Sequence, residues 1–92
     1  MKVIDHEEHS WFFLENGNEY LINVCCNNSA AYFTMLIKLN EEELNTYHTS
    51  GRQFLKNFSR KIQFYALTEY QDRNITAKNE EISRAINEWR KN

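Results

Sequence analysis

A chain of 92 residues, 41% of them hydrophobic, is long enough to order one core and too short to divide it, so we expect a single domain over 1–92. With no proline and only Gly17 and Gly51, it offers neither a Pro-rich recognition segment nor a glycine-rich phosphate loop. The formal net charge of −2 conceals an asymmetry: residues 1–45 carry eight acids against Lys2 and Lys38, and residues 46–92 carry five acids against nine bases.

Met1–Ser10 holds Lys2, Asp5, Glu7 and Glu8 and no apolar run, so no secretory leader is expected. His6 and His9 lie three residues apart beside two glutamates. Structural zinc usually takes four ligands in paired spacings, which favours an exposed polar N-terminal segment over a metal site. No cofactor is expected.

Asn16-Gly17 lies between two apolar runs and predicts a type I′ hairpin that sets Glu15 against Asn18, Phe13 against Tyr20 and Trp11 against Ile22. A second turn is predicted within Cys26–Ser29. An even-length loop there puts Phe33, Met35, Ile37 and Leu39 on the face of Trp11, Phe13, Tyr20, Ile22 and Val24, whereas an odd one would mix in Thr34 and Lys38. The result is a three-stranded antiparallel meander. Adjacent Cys25 and Cys26 have Cα atoms only about 3.8 Å apart and strand side chains on opposite faces, so they read as reduced thiols in a reducing cytoplasm. The densest apolar stretch, Tyr32–Leu39, contains Thr34 and Lys38 and is too short to cross a bilayer, so no membrane partner is expected.

Asn40 and Glu43 have the spacing of a capping box, Leu39 and Leu44 that of a hydrophobic staple, and Glu41–Glu43 suit the positive end of a helix dipole. Leu44, Tyr47, Gly51, Leu55, Phe58, Ile62 and Tyr65 then recur at helical steps, predicting one long amphipathic helix to about Ala66. Gly51 is read as a close helix–sheet contact, with a break there as the alternative. His48, beside the apolar stripe, is expected to be partly buried. Lys61–Tyr70 also alternates, and a fourth strand from about Gln63 to Tyr70 would cover a sheet edge. A last helix starts near Thr76 or Asn79, with Ile82, Ala85, Ile86 and Trp89 on one stripe and Trp89 as its tether. The expected class is α+β: an antiparallel three- or four-stranded β-meander packed by one long α-helix and a C-terminal α-helix.

No Ser, Cys or His stands in a catalytic motif, so we expect no enzyme. Arg52, Lys56 and Arg60 form a basic stripe. On a chain of pI about 5.9 this reads as a solvated helix face rather than a nucleic-acid site. The second sheet face would carry Phe12, Leu14, Leu21, Cys25, Tyr32 and Leu36. Such a patch marks an interface unless the N-terminal segment or the last helix covers it.

The expected function is a small non-catalytic protein-binding module, in its sharper form a bacterial immunity or antitoxin-like protein that neutralises a basic, nuclease-type toxin by occlusion. Asp5, Glu7, Glu8, Glu15, Glu19, Glu41, Glu42 and Glu43 would steer a cationic partner, and Trp11, Phe12, Leu21 and Tyr32 would anchor it. The alternatives are a homo-oligomer (a homodimer in the simplest case) joined through the second sheet face and, less favoured by charge, a nucleic-acid accessory protein.

Overall fold

The computed structural model describes residues 2–8, 10–28, 31–65, 69–75 and 79–91, with the side chains of 27, 28, 31–33, 79–83 and 91 outside that description. Strands β1 (Lys2–Glu7), β2 (Trp11–Asn16), β3 (Glu19–Asn28) and β4 (Ala31–Lys38) form one antiparallel sheet in the order β1-β2-β3-β4. Helices α1 (Glu41–Ser50) and α2 (Arg52–Tyr65) follow, then a 3-10 turn at Gln71–Arg73 and helix α3 (Asn79–Lys91). The architecture is α+β.

The β2–β3 loop is Gly17-Asn18 rather than Asn16-Gly17: Asn16 pairs with Glu19, Phe13 with Ile22 and Trp11 with Val24. Gly17 takes a φ of 63°, which only glycine adopts without cost. The pairing differs from expectation by two residues, one full strand period, so every side chain keeps its expected face. Between β3 and β4 the even register holds, with Ile22 opposite Ile37 and Val24 opposite Met35. The strands extend further than expected, to the pair Asn28–Ala31, and the turn itself lies outside the described residues.

The fourth strand is the N-terminal segment, not Gln63–Tyr70. Its register slips at Ile4: Val3 pairs with Leu14, whereas Asp5 pairs with Phe13 and Glu7 with Trp11. Without the bulge, Val3, Asp5 and Glu7 would share a face. With it, Val3 joins Leu14 on one face while Asp5 and Glu7 turn to the other. Both acids are satisfied there: Asp5 pairs with Arg52, and Glu7 Oε2 accepts the Trp11 indole N–H at 3.2 Å.

One sheet face packs against α2. Trp11, Phe13, Ile22, Val24, Cys26, Met35, Ile37 and Leu39 bury against Leu55, Phe58, Ile62 and Tyr70. The other face is covered as well. Phe12 and Leu14 pack with Ala85, Ile86 and Val3, and Leu21 and Leu36 pack with Ile75 and Ile86. The chain is therefore a helix–sheet–helix sandwich: on the second face Phe12, Leu14, Leu21 and Leu36 are covered by α3 and Ile75, whereas Cys25 is half-buried, Thr34 is exposed and the Tyr32 side chain lies outside the described residues. Trp89 flanks that packing, its ring centroid 4.4 Å from His6 and 5.7 Å from Phe12. Asn74 and Ile75 also guard the β4 edge: Ile75 N–H donates to Leu36 C=O at 2.8 Å, and Leu36 N–H donates to Asn74 Oδ1 at 2.9 Å.

The capping box is present, with Glu43 N–H donating to Asn40 Oδ1 at 2.8 Å and Asn40 N–H to Glu43 Oε1 at 2.9 Å. The expected single helix, however, divides at Gly51. Its φ of 61° and ψ of −133° end α1, and its N–H donates back to Tyr47 C=O at 2.6 Å. No atom lies within 4 Å of the place a Cβ would occupy, so Gly51 is a break and not a close contact. A Gly51→Ala protein should lose about 1–3 kcal/mol through backbone strain alone, read as a lowered urea midpoint; an unchanged midpoint would show that the dihedral is not required. Gln63–Tyr65 are helical, which removes the strand alternative there, and residues 66–68 lie outside the described residues.

Candidate functional site

The residues expected to form a partner-binding site separate into two groups. Trp11 and Leu21 are 0% exposed and Phe12 is 8% exposed, so these three serve the two cores and are not anchors on a surface. Tyr32 lies in β4, but its side chain is outside the described residues. Glu41 and Glu42 are exposed on α1 with no ion pair or side-chain hydrogen bond among the described residues, and Glu15 and Glu19 are half-buried at the nearby hairpin. Glu19 pairs with Lys38 at 3.2 Å. Hydrogen bonding to Glu15, reinforced by its charge, raises the pKa of Tyr20.

Helix α1 is held mainly by polar contacts. It has no fully buried residue, and only Leu44 and Tyr47 pack against the core. Its attachment is a latch from the 3-10 turn, where Arg73 donates to both oxygens of Glu43 at 2.9 and 2.7 Å and to Lys38 C=O at 2.8 Å. Burial pushes the Glu43 pKa up, but the hydrogen bonds from Arg73 and from Asn40, with the charges of Arg73 and Lys61, outweigh it and hold the carboxyl below its ordinary value. A carboxyl depressed in the folded state stabilises the protein above its unfolded pKa, and that contribution is lost as pH falls through the folded value. The stability gap between wild type and Glu43→Gln should therefore be widest near neutral pH and close as the pH falls through the ordinary glutamate range and below it. Urea titrations at a series of pH values measure it; a constant gap contradicts the latch.

Two concavities flank α1. A cleft of about 370 Å³ lies between α1 and α2, lined by Asn40, Glu42, Glu43, Thr46, Phe54, Asn57, Phe58, Lys61 and Tyr70. The Phe54 and Phe58 rings stack at 5.2 Å, and Tyr70 meets Phe58 edge-on at 5.9 Å. Burial raises the Tyr70 pKa while the Lys61 ammonium pulls it down, which places Lys61 beside the phenol. On the other side, Ile4, Glu15, Tyr20, Tyr47 and His48 line an open depression with Lys2 and Val3. Neither concavity is legible in the sequence: the depression joins residues of β1, the hairpin and α1, and the cleft depends on the break at Gly51.

The remaining candidates are accounted for locally. Arg52 is engaged by Asp5 and lies 5.2 Å over the Trp11 ring, so the basic stripe is not a free row of cations. His48 is exposed, contrary to expectation, because α1 turns Leu44 and Tyr47 towards the core and buries no residue fully. His9 is outside the described residues, and among the described ones no three His, Cys, Asp or Glu side chains converge as a metal site. Cys26 is buried, and desolvation pushes its thiol up to about 11, while Cys25 on the opposite face is half-buried. Among the described residues no helix is long and apolar enough to cross a membrane. Comparison of the chain with protein-family models, with curated proteins and with solved structures gives no match.

Proposed function

We propose that this chain is a small protein-binding module that recognises a basic partner segment through α1 and the hairpin beside it. The observation that carries the reading is the outer face of α1: Glu41 and Glu42 have no cationic partner among the described residues, and Asn45, Thr46, Thr49 and Ser50 continue a polar surface without a lysine or arginine. Unpaired carboxylates of this kind speed encounter with a cationic surface and set its orientation. Since Trp11, Phe12 and Leu21 are committed to the cores, the aromatic contacts of such an interface pass to Tyr20 and Tyr47. They line the adjoining depression with Glu15, where a lysine or arginine finds both a carboxylate and ring faces. The specific form of the reading, neutralisation of a basic toxin by occlusion, draws on the same acidic surface and on the small size of the chain. Homo-oligomerisation through the second sheet face would require α3 to leave it, so the heterotypic reading is the better supported.

The test is retention of proteins from the source lysate on the immobilised chain at low salt, beside a Glu15→Lys/Glu41→Lys/Glu42→Lys variant. A basic protein held by wild type, released by salt and lost by the variant is the expected result. Equal retention by both, or no basic protein, would refute the proposal.

A further inference from the structure

We infer that the cleft between α1 and α2 is a binding site for a small aromatic carboxylate. Its floor is apolar and aromatic: Phe54 and Phe58 stack on one another and Tyr70 meets Phe58 edge-on, with Phe54 half-buried and Phe58 and Tyr70 each 5% exposed. A floor of this kind takes a single ring by offset or edge-on stacking. A volume of about 370 Å³ lies at the lower end of the range for small-ligand sites and suits a one-ring molecule.

The rim decides the polar half of the ligand. Asn40 uses its Oδ1 for the Glu43 N–H, and Asn57 uses its Oδ1 for the Gln53 amide at 3.2 Å; among the described residues neither amide N–H₂ has an acceptor. Lys61 adds an exposed ammonium to the lining; it also interacts with the Tyr70 hydroxyl and with the Glu43 charge, which leaves its remaining N–H donors for a ligand. Glu43, the carboxylate within the wall, is consumed by the two Arg73 hydrogen bonds and by Asn40 N–H, so it offers a ligand cation nothing. Three donors, one of them charged, select a carboxylate, and a single ammonium matches a monoanion better than a phosphate dianion. Glu42, exposed at the mouth, further disfavours higher negative charge. Glu42 and Thr46 border both this cleft and the proposed protein interface, but its deciding residues, Phe54, Asn57 and Lys61, lie on α2, outside that interface.

The probes are phenylacetate, phenethylamine and acetate, each titrated into the ¹⁵N-labelled full chain while amide shifts are followed by NMR. Phenylacetate is expected to give saturable shifts centred on Thr46, Asn57 and Lys61, acetate and phenethylamine none, and Lys61→Met to weaken phenylacetate about tenfold. Lys61 is exposed, so that variant leaves the cores intact, which its unchanged spectrum elsewhere will verify. Binding of phenethylamine as tight as that of phenylacetate, an unaltered affinity in Lys61→Met, or no saturable shift at millimolar phenylacetate would each overturn the inference. None of these outcomes depends on whether α1 binds a basic protein.

Discussion

Replacing Trp11 with alanine is expected to cost about 3–5 kcal/mol of folding stability, the range for emptying the volume of a buried aromatic. The side chain is 0% exposed within the face that packs on α2. It also ties three elements together. Its indole N–H donates to Glu7 of β1 at 3.2 Å, and the Arg52 guanidinium of α2 lies 5.2 Å over its ring while pairing with Asp5 of β1. Truncation therefore leaves a cavity, a carboxylate without its donor and a cation without its ring. A domain of ordinary stability has about 5–15 kcal/mol to lose, so the variant should be partly unfolded at modest urea concentration. Equilibrium denaturation followed by far-UV circular dichroism measures the loss. A change below about 1 kcal/mol would return Trp11 to the surface role that its aromatic character first suggested.

Ala85→Glu should detach α3. Ala85 is 7% exposed and packs on Phe12 and Leu14, so a glutamate there must either bury a charge or force the helix away. We expect a loss of about 2–4 kcal/mol, dye binding to the uncovered Phe12, Leu14, Leu21 and Leu36, and cleavage by protease within α3 that wild type resists. The control is Glu88→Ala on the exposed side of the same helix, which should change stability by less than about 0.5 kcal/mol. If Ala85→Glu behaves like the control, α3 is not the cover of the sheet.

Local chemistry was legible where neighbours in sequence decide it. The capping box needs only Asn40 and Glu43, and the faces of β2, β3 and β4 need only period-two alternation. The register across Gly17 was not legible, because a slip of two residues leaves that alternation unchanged. β1 was missed because the bulge at Ile4 breaks its period, and because Asp5 and Glu7 read as solvent-facing until Arg52 and the Trp11 indole, which satisfy them, are brought into place. At Gly51 the apolar spacing runs on from Tyr47 to Leu55 as though one helix continued, so only the dihedral reveals the break. Of the expected anchors, Phe12, Leu21 and Tyr32 belong to a sheet face whose cover cannot be assigned from alternation, whereas Trp11 belongs to the other, wholly apolar face, where alternation already places it in the core. Once α3 closes that face, Phe12 and Leu21 become core, and the acidic residues are what is left at the surface. The Arg73–Glu43 latch depends on a pairing 30 positions apart, for which no spacing rule exists, and the cleft it borders depends on the angle that the break at Gly51 sets between α1 and α2.

Folding covers the apolar centre of the sheet on both faces, with α2 on one and α3 and Ile75 on the other, which leaves α1 and the concavities beside it for recognition. Methyl-labelled NMR of the dilute protein distinguishes this arrangement from an open sheet. Nuclear Overhauser contacts are expected from the Ala85 methyl to Leu14 and from the Ile86 methyls to Leu21 and Leu36. Absence of those contacts, with the Leu14, Leu21 and Leu36 methyls accessible to a soluble paramagnetic probe, would contradict it and restore the sheet itself as the binding face.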